Sequence, residues 1–444
     1  MCDFLVLINF INEKIVWGVP ALILFLGTGI YLSVKLRFFQ INLPRIIKQT
    51  FLHKSKLSNE KNLSPFQTLT SVLAVTLGTG NIVALGTAIA FGGAGAVFWM
   101  AVSAFFGMAT AYAENYLGMK FRITKADGSR FGGAFFYIGK ILGGGWGKFF
   151  ALCCILASLG MGNMTQMNAL AVSLERGFGV PLHTSGLMAA LLVGLLIFGG
   201  AVMFGQVTEK VIPVLALIYI FGCLAVIIMN LGAVPEALLR IVREAFDLKA
   251  VGGGVLGFAI LRSKMLSGMS WGFRRGIFSN EAGLGTTVIL NTMSSENSAT
   301  RQSLWASLAV FIDTLVICVL TALAILVTGA DKLGGDGTMY ASAAFGSAFG
   351  GYADMFLSAC IALFAVATAS GWSFFGSVCV EYLFGKRYIK IFAVIFIICC
   401  FFGAVTRPVV IWGLADMFNG LMAAPNLIAL LLFARKYNAV KMQD

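Results

Sequence analysis

Two short stretches place polar and conformationally free residues inside apolar segments. The first is Gly78-Thr79-Gly80-Asn81 in "LAVTLGTGNIVALGTAIAFGG"; the second is Ser279-Asn280-Glu281 in "RRGIFSNEAGLGTT", followed by Gly283 and Gly285. Glycine lets a backbone leave the helix and costs about 1 kcal/mol relative to alanine inside one. Unwinding at the first stretch would expose the N–H groups of Thr79, Gly80 and Asn81 at the positive end of a half-helix, a seat for a carboxylate. It would also turn carbonyls such as those of Ala74 and Leu77 toward a cation. A packing kink, with Asn81 bonded to a neighbour, accounts for that stretch equally well when it is taken alone. In the second stretch, Glu281 is an intramembrane carboxylate and so a functional candidate. A structural role, locking the break by accepting N–H bonds or pairing an arginine, is preferred for it over substrate contact.

Further polar groups stand in otherwise apolar segments. Asn163, Thr165 and Gln166 lie in "GNMTQMN", Asp313 in "FIDTLVIC", and Thr368 and Trp372 four residues apart in "FAVATASGWSFFG", with Ser370 and Ser373 beside them. Singly, such hydroxyls usually bond their own helix carbonyls and such a tryptophan usually packs. As a set with two broken helices they could line one small polar cavity. Arg274 and Arg275 precede the second break by one turn, and Asp416 in "LADMFNG" is the carboxylate best placed to meet one of them.

The elements that must position these residues follow from composition. The chain has 444 residues, 59% hydrophobic and 11% charged, with a mean hydropathy of +0.90. That excludes an ordinary soluble domain, and the long continuous apolar runs favour a helix bundle over a barrel of alternating strands. No charge falls between Lys61 and Glu114, room for two spans with a turn at "FGGAG". Spans are expected near 15–34, 67–91, 94–119, 147–170, 184–204, 207–230, 265–290, 303–328, 354–382, 389–406 and 408–434. These make an all-α polytopic membrane protein of eleven helices, one leader and ten core helices, with core helices 1 and 6 broken at mid-membrane.

The net charge of +13 follows topology rather than nucleic-acid binding. Most Lys and Arg fall on the side of the leader-to-core loop, including Lys54, Lys56 and Lys61, and of the C-terminus, including Lys441. The N-terminus is therefore expected outside and the C-terminus in the cytoplasm. The segment 234–249 reads as an amphipathic surface helix, with Glu236, Arg240, Arg243, Glu244 and Asp247 on its polar face. The chain accordingly divides into a leader helix and basic loop (1–62), a first five-helix repeat (63–232), an extracellular connector (233–264), a second repeat (265–434) and a tail (435–444). Five is odd, so the repeats have opposite orientation. Matching interruptions in two inverted halves point to the binding site of a secondary transporter. Nine cysteines show no useful spacing, and two histidines exclude a histidine-rich metal site. "GGGWG" at 143–147 lacks the ending of a phosphate loop. The first twenty residues lack the marks of a cleaved signal.

The stretches "TLGTGNIVALGTAIAFGGAGAVFWM", "GMATAYAENYLGMKFR", "RRGIFSNEAGLG", "FIDTLVICVLTAL", "SGWSFFG" and "DMFNGLMAAPNLIALLL" closely resemble the alanine/glycine:cation symporter family, also called the sodium:alanine symporter family. The resemblance runs in order over about 15 to 435. It implies a fold like that of the leucine transporter, a 5+5 inverted repeat, and symport of alanine or glycine with sodium, or in some members protons, across a bacterial or archaeal plasma membrane. Ala134 and Phe135 depart from the proline and methionine usual there, Ala94 from a proline, and "NTMSSENS" from an alanine-rich stretch.

With that resemblance, the substrate carboxylate is expected on Thr79, Gly80 and Asn81. Its ammonium is expected near Phe278, Ser279 and Asn280, helped by Gln166, with Thr368 and Trp372 limiting size. Sodium, a hard cation, is expected on the Ala74 and Leu77 carbonyls with a hydroxyl of Thr368, Ser370 or Ser373. Arg274, Arg275 and Asp416 would form an outer gate, and Glu281 and Asp313 would be structural. No cofactor beyond the coupling ion, no nucleic acid and no obligate protein partner is expected; the partners are an amino acid, a cation and the bilayer. A sensor or channel-like relative on the same fold is the alternative, and a membrane enzyme a weaker one because no nucleophile–base pair or metal cluster is visible.

Overall fold

The computed structural model describes residues 7–8, 10–51, 62–246, 254–334, 337–406 and 408–436. Lys54, Lys56, Lys61, Asp247, Lys441 and the tail beyond 436 lie outside these. A short π-helical segment, Ile11–Val16, leads into helix α1 (Val19–Lys35), with a proline in its first turn. The chain then turns through left-handed Arg37 and Phe38 into α2 (Leu43–Phe51).

The first break separates α3 (Pro65–Thr76) from α4 (Val83–Gly92), with a single 3₁₀ turn at Thr79–Asn81 between them. The start of α3 is fixed by a capping box, in which the Ser64 side chain accepts from Gln67 N–H and the Gln67 side chain accepts from Ser64 N–H. α5 (Gly95–Phe121) follows, then a two-stranded hairpin, β1 (Ile123–Thr124) and β2 (Arg130–Phe131), and α6 (Ala134–Leu142). α7 (Gly144–Leu159) and α8 (Thr165–Phe178) are joined through a π turn at Gly160–Met164. α9 (Leu182–Met229) is continuous by hydrogen bonding but non-helical at Gly200, with φ 77° and ψ 175°.

α10 (Val234–Phe246) is the amphipathic connector helix, and it packs on α5. α11 (Gly254–Asn280) ends at the second break, after which the chain resumes as α12 (Val288–Thr292). α13 (Ala299–Val310) and α14 (Val319–Val327) flank a π segment, Phe311–Cys318. α15 (Gly337–Phe349), α16 (Ala353–Phe384), α17 (Ile389–Val405) and α18 (Pro408–Lys436) complete the chain.

Among the described residues, seven helical stretches are long and apolar enough to cross a membrane, or eight when α3 and the Thr79–Gly92 stretch, bent by 57°, count as one. Eleven is not reached by that measure for visible reasons. α1 has only 17 residues, α9 counts once despite its interruption, and α11 carries Arg262, Lys264, Arg274 and Arg275. α11 also begins at Gly254, so the connector is shorter than 233–264. Arg262 and Lys264 interrupt the apolar run and put its edge at 265, although the helix runs through them.

The bundle is apolar on its outer surface as well as in its core, with polar groups gathered at the helix breaks. Leu191, Leu195, Phe198, Val214 and Phe221 of α9 are exposed, whereas Thr79, Asn81, Gln166, Ser279, Asp313 and Thr368 are buried. Apolar surface outside and paired polar groups inside is what hydrocarbon demands. α10 sits directly against α5 because Gly95 has no side chain. A Cβ there would lie 2.5 Å from the Ala245 nitrogen and the Glu244 carbonyl carbon. Glu244 accepts from Ala94 N–H (2.8 Å), and the Trp99 indole donates to the Ala245 carbonyl (3.1 Å). Gly95→Leu should therefore displace α10 and destabilise the chain by about 1–3 kcal/mol. A lowered midpoint in a thermal shift assay in detergent is the expected result.

Candidate functional site

The two breaks meet at one carboxylate. Asp313 lies fully buried in the π segment between α13 and α14. From the first break, Asn81 Nδ2 donates to Asp313 Oδ1 (2.9 Å) and to its backbone carbonyl (3.2 Å). From the second, the Ser279 hydroxyl donates to Asp313 Oδ2 (2.8 Å). Thr314 adds a third donor to the carboxylate, at Oδ2 (2.7 Å), and in turn accepts from Asn280 Nδ2 (3.0 Å). A π turn adds a residue to the helix circumference and turns side chains off the regular face, a recurrent feature of functional helices. Asp313, expected to be structural, thus occupies the centre of the site.

The first break is held from two further sides. The Thr79 N–H and hydroxyl both donate to Gln166 Oε1 (3.1 and 3.0 Å). The Thr368 hydroxyl of α16 donates to the Ala74 carbonyl (3.0 Å). Gly78 allows both approaches, since a Cβ there would lie 2.8 Å from Thr368 Oγ1 and 2.9 Å from Gln166 Oε1. Gly80 faces the second break, with Phe278 and Ser279 each 3.4 Å from the position of an added Cβ. Thr79, Gly80, Asn81, Gln166, Phe278, Ser279, Asn280, Ala74 and Thr368 therefore share one buried region.

Other expected residues are placed differently. Ser370 and Ser373 donate to the Val366 and Ser370 carbonyls of their own helix. Trp372 is fully buried with its ring against Gly162 of the α7–α8 π turn, where a Cβ would fall 2.2 Å from the indole. Glu281 adopts φ 56°, a left-handed conformation rare outside glycine, and accepts from the Thr286 hydroxyl (2.5 Å). That bond closes the turn of the second break on itself. The expected arginine partner is engaged elsewhere: Arg274 forms an ion pair with Asp416, and Arg275 Nη1 lies 3.6 Å from Asp416 Oδ1. Arg275 also lies over the rings of Trp412 (4.9 Å) and Phe278 (5.7 Å), which stack on each other at 5.1 Å.

Several residues at the site carry little signal in sequence. Buried Glu114 of α5 accepts from Asn426 Nδ2, which also donates to the Gly283 carbonyl (2.9 Å). The Tyr137 hydroxyl donates to Asn426 Oδ1. These hold the chain just beyond the second break, yet each is a lone polar residue on a separate helix. Trp412 likewise reads as one more interfacial aromatic.

On the side of α12, two arginines hold backbone oxygens. Arg122 donates to the Thr292, Ser294 and Glu296 carbonyls, and Arg130 to those of Ser294 and Glu296. Burial, with Arg130 beside it, pushes the Arg122 guanidinium down to about 10, so it stays charged at neutral pH. Leu63 pairs with the same loop, donating to the Met293 carbonyl and accepting from Ser295 N–H.

A model of the sodium:alanine symporter family matches residues 3–443. The chain belongs to the sodium:alanine symporter family. It is 37% identical to the sodium/alanine symporter AgcS of Methanococcus maripaludis, over 97% of this chain and 95% of that protein. It is 33% identical to a putative sodium/proton-dependent alanine carrier protein, YrbD, of Bacillus subtilis, over 98% and 90% respectively. Among solved structures, a sodium-coupled sialic acid symporter in a substrate-bound outward-open state matches with a TM-score of 0.53 at 12% identity, over 95% of this chain and 98% of that one. That likeness concerns the fold. The chain is a multi-pass membrane transporter of the symporter class and not an enzyme.

The shared carboxylate makes a distinct demand on stability. Asp313→Ala removes the carboxylate acceptor of the Ser279 hydroxyl and of the Asn81 amide, which keeps the backbone carbonyl of that residue, a loss of about 1–3 kcal/mol for each group. Asp313→Asn keeps one acceptor oxygen and should lose less. Thermal midpoints in detergent should rank wild type above Asn, and Asn above Ala.

Proposed function

We propose that this symporter takes up a small neutral amino acid, alanine or glycine, together with sodium by alternating access. The reading includes eleven spans: the eight that satisfy length and hydropathy, one more when α9 is divided at Gly200, α1, and α11 with its break. Grouped as one leader and two inverted halves, 63–232 and 254–434, they accord with the Lys and Arg bias that favours an N-terminus outside and a C-terminus in the cytoplasm of a bacterial or archaeal cell. The connector is extracellular, and the breaks at Gly78–Asn81 and Ser279–Gly285 occupy equivalent positions in the halves.

The observation that carries the reading is the contact across the first break, where the Ala74 carbonyl and the Thr368 hydroxyl are 3.0 Å apart and Gln166 Oε1 rests on Thr79 N–H. Both are sites where an oxygen partner can be exchanged for cargo. Turning the Thr368 proton away leaves two oxygens from different helices facing one point, a donor set suited to a hard cation. Leu77 is the further candidate ligand, whereas Ser370 and Ser373 need to give up their own helix carbonyls to take part. A cation there ties the broken helix to α16 and so couples ion binding to helix position.

The amide oxygen of Gln166 marks the carboxylate seat. A substrate carboxylate displaces it from Thr79 N–H and gains the neighbouring N–H groups of Gly80 and Asn81. The Asn81 amide oxygen, buried without a hydrogen-bond partner among the described residues, is an acceptor for the substrate ammonium. Phe278, Ser279 and Asn280 bound the other side. Trp372 limits size by filling the space over Gly162, one turn from Gln166. On the outer side, Arg274, Arg275 and Asp416 form the gate, with Glu281 setting the turn beneath it.

Purified protein in proteoliposomes should accumulate labelled alanine or glycine under an inward sodium gradient and not without one. Gly80→Val should abolish uptake and binding while the protein remains folded, because a branched side chain occupies the space next to Phe278 and Ser279. Trp372→Ala should admit larger neutral amino acids, seen as new competitors of alanine uptake. Absence of sodium-driven uptake of any small amino acid would favour a sensor or channel-like role instead.

A further inference from the structure

The leader segment lies outside the two five-helix halves, yet it touches both the outer gate and the second break. Trp17 is buried, and its indole N–H donates to the backbone carbonyl of Asp416 (3.0 Å). One turn earlier on α18, the Gly413 carbonyl accepts from Asn12 Nδ2 (2.7 Å). Val16 presses on Gly420 of the same helix, where a Cβ would fall 1.9 Å from Val16 Cγ1. The leader is therefore fastened along about two turns of α18, at Gly413, Asp416 and Gly420, by two side-chain donors and one close apolar contact.

The other end of the contact reaches the break. The Trp17 ring stacks on Phe25 of α1 with centroids 5.8 Å apart and planes 6° from parallel. Phe25 abuts Gly283, whose φ is +93° and where a Cβ would lie 2.8 Å from Phe25 Cε1. Asp416 is thus held twice, its carboxylate by Arg274 and its carbonyl by Trp17. Rotation or tilt of α18 that parts Asp416 from Arg274 also strains the Trp17 bond and slides one ring over the other. Closely packed aromatic rings transmit such a displacement rather than absorb it.

We propose that the leader segment is a positioning strap, in which Trp17 and Phe25 link the Asp416 turn of α18 to the left-handed turn at Gly283, so that the outer ion pair and the second break move as one unit. The inference rests on the outer-gate reading of Arg274 and Asp416. A passive membrane anchor would need neither a bond to the gate residue nor a ring against the break.

The test uses the full chain in proteoliposomes, with Ser270→Cys added one turn before Arg274 and labelled by a membrane-impermeant maleimide, the native chain giving the background. Trp17→Phe keeps the ring stack and removes the N–H. Phe25→Ala removes the stack, and Phe25→Leu restores most of the volume. Trp17→Phe and Phe25→Ala should each raise the labelling rate about threefold or more, the size of effect that loss of one buried hydrogen bond has on an equilibrium. Both should raise sodium-independent alanine leak, Phe25→Leu should return labelling toward the parent, and alanine affinity in detergent should stay within about twofold, again less than one hydrogen bond is worth. If both variants label and leak as the parent does while Asp416→Asn labels faster, the strap is wrong and the gate stands; lowered yield with unchanged labelling likewise makes the leader an anchor and overturns the proposal. If Asp416→Asn also labels at the parent rate, the gate reading fails and the strap with it.

Discussion

Everything at the centre of this bundle depends on the Asp313 carboxylate being shared between two interrupted helices. A break in a membrane helix frees polar groups that lipid cannot satisfy, and each must find a partner inside the protein. Asn81 from one break and Ser279 from the other find the same partner, one on each carboxylate oxygen. Neither break is then independent of the other. A shift of α4 that draws Asn81 away leaves Asp313 under-bonded, and this in turn loosens its hold on Ser279. Buried polar networks have this property generally: complete, they specify one arrangement, and incomplete, they are costly.

The small residues around that centre follow from the same constraint. Gly78, Gly80 and Gly162 stand where Gln166, Thr368, Phe278 and Trp372 must come within contact of another backbone. Gly283 and Gly285 have positive φ and face Phe25, Ala134 and Asn426. Close approach brings side-chain donors to backbone groups that a regular helix would have paired itself. The buried chemistry is accordingly dominated by neutral amides and hydroxyls. The carboxylates among the described residues at this depth, Glu114, Glu281, Asp313 and Asp416, each have an amide, hydroxyl or guanidinium partner.

The breaks and most spans were legible in the sequence because their signals are local. A glycine pair inside a long apolar run needs no knowledge of the fold, and Arg274 and Arg275 one turn before the second break pointed to Asp416 by charge alone. Their pairing is in the structure, while the gate role remains a reading of it. Short helices without a long apolar run, α2, α6 and α15, were not foreseen, since length and hydropathy do not separate them from loops. The start of α11 was misplaced for the opposite reason, because Arg262 and Lys264 look like an edge within a continuing helix. Glu114, Asn426 and Tyr137 were missed because they are brought together only by packing, across 312 residues of chain between Glu114 and Asn426. The two ends of Asp313's hydrogen-bond set were visible, but not that they converge.

The two ends of the second broken helix are tied by different chemistry, and the difference has consequences. On the α11 side, Arg274 and Arg275 meet a side-chain carboxylate and aromatic faces, contacts that depend on charge and on the exclusion of water. On the α12 side, Arg122 and Arg130 instead grip carbonyl oxygens of a loop, and the Leu63 backbone adds a two-bond bridge. Carbonyls carry no net charge, so these hydrogen bonds are set mainly by the shape of the loop from 292 to 297, with the Glu296 carboxylate adding attraction to both arginines. In that loop Ser294 and Glu296 supply the held carbonyls, and the Glu296 side chain pairs with Arg301. The same loop joins α12 to α13, whose continuation carries Asp313. Release of the α12 side therefore acts directly on the helix that holds both breaks together, whereas release of the α11 side reaches it through the Ser279 and Asn280 side chains.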